Sequence, residues 1–219
     1  TDIIGSYNVA NGKETGMELI RQVYPKLGVV PGLLLAPGWS QEPEVGIALA
    51  AKAANINGVF KAMAILDLDT TTATKYTDVR EIKENSGFTS EFCYPLWLSF
   101  RVGDYILAGS AVAAALISYT DASNDDVPSI SPSNKLLGVT GTCLADGTEV
   151  TWTRIRRTSV NSYGVATALN MNGWKLWGNY TGAYPASTDP KDIWFRCAAC
   201  STGREITSSC LTSTRWMTR

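Results

Sequence analysis

Residues 58–68 read GVFKAMAILDL. The stretch is apolar over most of its length and predicts a strand that is buried by helices. Residues 32–38, GLLLAPG, form a second apolar run, bounded by glycines, and predict a strand at the centre of a parallel sheet. Two buried strands separated by a helical pattern indicate a βαβ arrangement.

Helical periodicity surrounds these two runs. Apolar residues recur at helical spacing from Thr15 to Leu27, which predicts about three turns of amphipathic helix. Residues 44–56 follow the same period, with Ser40 as a candidate cap and Pro43 in the first turn. These segments predict helices that flank the sheet.

The alternation continues toward the middle of the chain. Residues 74–84 predict a polar helix, residues 91–100 a strand and residues 110–119 an apolar helix. The sequence therefore predicts a layered α/β fold with a largely parallel central sheet flanked by helices and right-handed crossovers. Beyond Asp125, turn-forming residues and segments such as TEVTWTRIRR (148–157) predict irregular structure plus strands.

The composition limits the classes of partner. The chain has 219 residues, with 19 basic and 20 acidic side chains and a net charge of -1. Such a balance predicts neither a nucleic-acid partner nor an anionic membrane surface, and the apolar runs are too short to span a bilayer. Because the chain starts at Thr1, in sequence typical of a strand end, we expect a fragment of a longer protein.

The residue types that most enzymes need are missing. The chain contains no histidine, which excludes Ser-His-Asp and Cys-His triads, a histidine general base and histidine zinc sites. There is no G-x-S-x-G, no S-x-x-K and no glycine-rich phosphate loop. The sequence therefore predicts no cofactor and no catalytic residues of these classes.

One motif favours an enzyme. Asp67, Asp69 and Thr71 form D-x-D-x-T after an apolar strand, which resembles the first motif of the haloacid-dehalogenase phosphotransferases. That resemblance implies a magnesium-dependent phosphatase with Asp67 as nucleophile and Asp69 as general acid, and Asp125–Asp126 as a candidate magnesium pair. The alternative is that both aspartates end a strand and cap the following turn.

Arginine and tryptophan residues in the second half are candidates for protein contacts. These residue types are enriched at interfaces, so we expect subunit contacts in two exposed segments. The candidates are Arg154, Arg156, Arg157, Trp174 and Trp177.

Seven consecutive stretches carry a resemblance that covers the chain from Thr1 to about Ile193. They are TDIIGSYNVANGKETGMELI, GVVPGLLLAPGWSQEPEV, AAKAANINGVFKAMAILDLDT, KYTDV, DVPSISPSNK, LADGTEV and GWKLWGNYTGAYPASTDPKD. In order, spacing and composition they resemble the tail sheath protein of contractile bacteriophages of the P2 and Mu-like type. Residues 1–193 resemble the central α/β domain of that family, which is similar in fold to subtilisin-type proteases without their catalytic triad.

The resemblance implies a structural protein and not an enzyme. Its subunits would assemble helically around a tail tube and contract to drive the tube through the host envelope. The implied partners are other sheath subunits and the tube protein, in a virion tail whose parts are made in the host cytoplasm. Because the family links its subunits through terminal extensions that this chain lacks, we expect these 219 residues to form a monomer or small oligomer.

The resemblance ends at Trp194. Residues 196–210, RCAACSTGREITSSC, hold Cys197, Cys200 and Cys210, too few ligands for a paired zinc knuckle and without the flanks of a redox helix. Codons from Phe195 onward, read from their third base, permit P-L-R-R-M-F-N-W, a family-like segment. We therefore interpret residues 194–219 as an out-of-frame tail.

Overall fold

A computed structural model describes residues 2–125, 130–150 and 154–195. The strands are short and are, in chain order, β1 (Tyr7–Asn8), β2 (Lys13–Glu14), β3 (Leu33–Leu35), β4 (Met63–Asp67), β5 (Cys93–Leu96), β6 (Ser99–Val102), β7 (Tyr105–Leu107), β8 (Gly141–Cys143), β9 (Thr167–Asn170) and β10 (Trp174–Trp177). The helices are a 3-10 helix (Gly16–Gln22), α1 (Val23–Leu27), α2 (Pro43–Ala54), α3 (Val79–Asn85), α4 (Gly109–Ala122), α5 (Arg154–Asn161) and α6 (Pro190–Ile193).

The predicted α/β class with a parallel central sheet is confirmed. Strands β3, β4 and β5 form a parallel sheet in that order, with β4 in the middle. The sheet continues through a parallel bridge between Leu96 and Ala166, just before β9, which forms an antiparallel hairpin with β10. A second, antiparallel sheet has the order β7-β6-β8.

Strand β4 shows why the sheet is covered on both sides. All five of its residues are buried, and alternate side chains point to opposite faces. Ala64 and Leu66 belong to a core cluster that contains Val45 and Leu49 of α2. Met63 and Ile65 belong to the other cluster, which contains residues of α4. Burying Ile65 or Leu66 in this way contributes about 1.5–3 kcal/mol per side chain.

Two predictions about the sheet and its helices need correction. Residues 33–35 form the edge and not the centre of the described parallel sheet, because β3 pairs with β4 alone. Leu34 is buried, whereas Leu35 is 36% exposed. Ser40 does not cap α2, whose N-cap residue is Glu42, although Pro43 does occupy its first turn.

The segment from Thr15 is helical as predicted, but its first part is a 3-10 helix and α1 has five residues. The stretch 148–157 was predicted as irregular or strand, and its end is instead the start of α5. No helix within the described ranges combines the length and the hydropathy that a transmembrane span requires.

Candidate functional site

The two aspartates of the D-x-D-x-T motif lie at the carboxyl end of β4. Asp67 is 8% exposed and its carboxylate is fully engaged by two serines. Oδ1 accepts a hydrogen bond from the backbone N–H of Ser110 at 2.6 Å, and Oδ2 accepts from the Ser110 hydroxyl at 2.5 Å. The Ser40 hydroxyl donates to Oδ2 at 3.3 Å and accepts from the Asp67 N–H at 3.0 Å.

Asp67 caps the N-terminus of α4, although it belongs to a distant part of the chain. The N-cap residue of that helix, Ala108, has no side-chain acceptor for the free N–H groups of the first turn. Asp67, on strand β4, provides this acceptor. Its negative charge lies at the N-terminus of α4, where the helix dipole favours it. Gly109 leaves room for this approach, since a Cβ there would lie 3.1 Å from Oδ1. The arrangement joins β4, α4 and the Ser40 turn.

Burial sets the protonation behaviour of Asp67. Desolvation raises its pKa above the ordinary value, and the hydrogen bonds from Ser110 and Ser40 offset part of that rise. Asp69 behaves differently because it is partly exposed. Burial opposes ionisation there too, but hydrogen bonds from Thr71 and Thr72 together lower the pKa of Asp69.

The surroundings of these aspartates fit a structural turn better than a metal site. Asp69 accepts from the Thr71 hydroxyl at 2.7 Å and the Thr72 hydroxyl at 2.8 Å, as an aspartate does when it closes a turn. The described part of the chain contains no group of three or more His, Cys, Asp or Glu residues that could hold a metal ion. Asp125 is described, but its proposed partner Asp126 lies outside the described residues.

The predicted contact residues of α5 have different environments. Arg154 begins the helix, and its side chain lies outside the described part. Arg156 is exposed, with its guanidinium 5.5 Å from the centre of the Tyr76 ring. Arg157 is 1% exposed and stacks over Trp174 at 5.0 Å, and burial lowers its pKa to about 10. Its side chain is thus packed within this chain.

The two predicted tryptophans lie on β10 and are partly buried. Trp174 donates its indole N–H to the carbonyl of Thr140 at 3.1 Å. The indole nitrogen of Trp177 and the Nε and Nη1 atoms of Arg157 are buried without a hydrogen-bond partner. The structure thus brings Arg157 and Trp174 together inside the fold, and the contact role of all five residues stays a prediction.

A further buried charge was not predicted from the sequence. Lys83 on α3 is 3% exposed and donates to the carbonyls of Tyr163 at 2.8 Å and Tyr184 at 2.5 Å. Desolvation lowers its pKa to about 8. Its partners are 80 and 101 residues away, so no local pattern could have indicated them. Lys83 joins α3 to two distant loops beside a pocket of about 200 Å³.

Comparison with known proteins identifies relatives of this chain. No protein-family model matches the chain. A prophage major tail sheath protein of Pseudomonas aeruginosa (strain UCBPP-PA14) is 30% identical over 190 residues, covering 82% of this chain and 45% of the relative. The tail sheath protein of Burkholderia phage BcepMu is 27% identical over 203 residues, covering 88% of this chain and 41% of the relative.

Solved structures share the fold at lower identity. The sheath complex of an extracellular contractile injection system, PVC, in its contracted state has a TM-score of 0.61 at 16% identity. That similarity covers 94% of this chain and 54% of the other. The baseplate of the anti-feeding prophage gives a TM-score of 0.55 at 18% identity, covering 81% of this chain and 44% of the other.

These matches confirm the resemblance to tail sheath proteins that the sequence indicated. The curated relatives are structural sheath proteins, and the chain spans less than half of their length. This chain is therefore a relative of the tail sheath proteins of contractile phages and prophages.

Proposed function

We propose that this chain is part of a structural subunit of a contractile tail sheath. In this function the subunits assemble helically around a tail tube and contract to drive the tube through a host envelope. One observation carries the proposal, namely 30% identity to a prophage tail sheath protein over 82% of this chain. The sheath-like fold over 94% of the chain supports it.

The proposed partners are other sheath subunits and the tail tube protein. The subunit would be made in the bacterial host cytoplasm and would act in the virion tail, without nucleic acid or membrane as a partner. The near-balanced charge of -1 supports protein contacts over a polyanion. In such an assembly, lateral contacts that do not close into a ring propagate a helix.

The proposed work is mechanical and not catalytic. Contraction requires two packings of the same subunit, with the extended one held by a kinetic barrier. The occupied carboxylate of Asp67 supports a structural role, because both oxygens already accept hydrogen bonds from Ser110 or Ser40. An assay with a generic phosphomonoester and magnesium checks this point. Turnover that disappears in Asp67→Asn would contradict a purely mechanical function.

The proposed domain boundaries come from the resemblance to tail sheath proteins. Residues 1–193 would form the central α/β domain, and residues 194–219 would be an out-of-frame tail. Most of that tail, with Cys197, Cys200 and Cys210, lies outside the described residues. As the chain spans less than half of its relatives, we also propose that it alone forms a monomer or small oligomer and not a sheath.

A domain exchange tests the proposed function. Residues 1–193 would replace the corresponding region of the Pseudomonas aeruginosa relative, and the product would be viewed by negative-stain electron microscopy. Sheath-like tubes are the expected result. The matched control carries Leu66→Asp, which places a charge in the core and should abolish tubes. A folded exchange protein that forms no tubes would contradict the proposal.

A further inference from the structure

A pocket of about 200 Å³ lies between α3 and the two loops that contain Tyr163 and Tyr184. Three of its lining residues, Arg80, Glu84 and Thr89, are exposed, so the pocket opens to solvent on their side. One water molecule occupies about 30 Å³ in the liquid. The pocket therefore has room for several waters or for one small organic molecule.

The buried lysine of α3 forms part of the pocket wall. Lys83 donates hydrogen bonds to the carbonyls of Tyr163 and Tyr184, which line the same pocket. An ammonium group has three N–H donors, so one donor remains after these two bonds. Burial lowers the pKa of Lys83 to about 8, so the group is still mostly charged at neutral pH. The pocket thus borders a buried positive charge with an unused donor.

The protein itself does not neutralise this charge. Among the residues whose positions are described, no salt bridge involves Lys83. Its acidic neighbour Glu84 is instead bonded to Arg80 at 3.0 Å. Its other neighbour, the Cys93 thiol, is neutral at pH 7 because burial raises the pKa of that thiol to about 11. Since a buried charge is costly without a partner, the site favours an anionic occupant.

Arg80 supplies a second positive charge at the mouth of the pocket. It precedes Lys83 by three residues on α3, so both side chains lie on one face of the helix. Its guanidinium lies 6.0 Å from the centre of the Tyr163 ring. The hydrogen bond to Glu84 uses Nε, and the two terminal amino groups carry four further donors. Two cations therefore border the pocket from one side.

The opposite wall is mostly apolar. It contains Gly182, Pro185 and Ala186 together with Tyr184. Phosphate or sulfate would turn several charged oxygens toward this wall, where few donors replace their water. A carboxylate with a short hydrocarbon part suits both sides, because its oxygens face the cations and its carbon atoms face the apolar wall.

We propose that this pocket binds a small organic carboxylate. The carboxylate accepts hydrogen bonds from the free N–H of Lys83 and from the terminal amino groups of Arg80, while the hydrocarbon part lies against Pro185 and Ala186. Hydrogen bonds between charged partners are about twice as strong as neutral ones, which makes the charge of the ligand decisive. The inference goes beyond the proposed sheath function and does not depend on it.

Propionate and propionamide, which have nearly the same size and differ in charge, test the pocket on the 219-residue chain. Backbone amide chemical shifts are followed by NMR during titration at neutral pH, with sodium chloride holding the ionic strength constant. Propionate should bind with a dissociation constant of about 1–10 mM, and propionamide at least about tenfold more weakly. The shift changes should centre on Gly182 and Thr89. Equal binding of the two probes, no binding of propionate, or shifts confined to other regions would overturn the proposal.

Substitutions at the exposed mouth test the charges without disturbing the core. Arg80→Met removes one of the two cations and should weaken propionate binding at least about fivefold. Glu84→Gln removes the competing carboxylate, so it should strengthen binding about threefold. Lys26→Met, at an exposed position outside the pocket, removes the same charge as Arg80→Met and should leave binding unchanged.

Lys83→Met tests the buried cation directly and should abolish propionate binding in protein that circular dichroism shows to be folded. The two mouth variants keep the inference testable where Lys83→Met does not fold, because Arg80 and Glu84 are exposed. Propionate binding that is the same in Arg80→Met, Glu84→Gln and the unmodified chain would overturn the proposal. An equal loss of binding in Lys26→Met would also overturn it, since attraction to overall charge would then explain the result.

Discussion

Replacing Asp67 by alanine should destabilise the fold strongly, because this carboxylate joins three segments. The change removes three accepted hydrogen bonds from Ser110 and Ser40 and leaves the buried N–H of Ser110 without its partner. Hydrogen bonds to a charged group contribute about 1.5–3 kcal/mol each, and loss of a buried partner costs about 1–3 kcal/mol. Against this, the variant no longer pays for burying a carboxylate.

The net loss should be about 3 kcal/mol in the free energy of unfolding, since the two contributions partly cancel. For a chain of this size, that corresponds to a fall in melting temperature of about 6–12 °C. Thermal unfolding followed by circular dichroism, together with urea titration, measures both quantities.

Asp69→Ala is the matched control, because Asp69 has the same chemistry but bonds within its own turn. That variant should lose less than about 1 kcal/mol. Equal destabilisation by the two substitutions would refute the capping role of Asp67. Normal stability of Asp67→Ala would refute it more directly.

Three further predictions concern the protonation of Asp67, the backbone at Gly164 and the buried guanidinium of Arg157. Because burial raises the pKa of Asp67, the folded state favours its protonated form, and the stability that comes from this protonation is fully present below about pH 4 and is lost as pH rises through the folded-state pKa; Asp67→Asn should remove this decline in urea titrations at several pH values. Gly164→Ala should cost more than about 2 kcal/mol, since φ is +74° and the new Cβ would lie 2.3 Å from a carbonyl oxygen. Gly12→Ala, with a similar φ of +66° and open space, should cost about 1 kcal/mol in the same assay, and equal costs would contradict the steric argument. Arg157→Met should leave stability unchanged or raise it by about 1 kcal/mol, because Nε and Nη1 have no partner; a large loss would mean that the Trp174 contact matters more.

The parts of the fold that depend on local patterns could be predicted from sequence. The apolar run that contains β4 indicated a buried strand, and residues 110–119 indicated the middle of α4. The run containing β3 looked the same as that of β4, yet it lies at the edge of the described sheet. A short apolar run indicates that a strand is buried, but it does not indicate whether the strand pairs with one neighbouring strand or with two.

The parts that depend on distant contacts could not be predicted. Helix α5 was missed because a charged residue, Arg157, occupies a buried position that normally marks the apolar stripe of a helix. Ser40 looked like a local helix cap, whereas its hydroxyl contacts Asp67 across 27 residues. The sequence correctly indicated that the D-x-D-x-T motif lies at the end of a strand. It could not indicate that Asp67 accepts hydrogen bonds from Ser110 of α4, because that residue is 43 positions away.

Negative-stain electron microscopy of an extended protein tests whether this chain can assemble as part of a sheath subunit. The sample would carry the segment P-L-R-R-M-F-N-W after Trp194, as the proposed reading frame gives it, and an N-terminal extension supplied from the Pseudomonas aeruginosa relative. We expect hollow tubes of regular width, which would also support the proposal that residues 195–219 are translated out of frame. Discrete folded particles under conditions in which the relative forms tubes would contradict the proposed assembly.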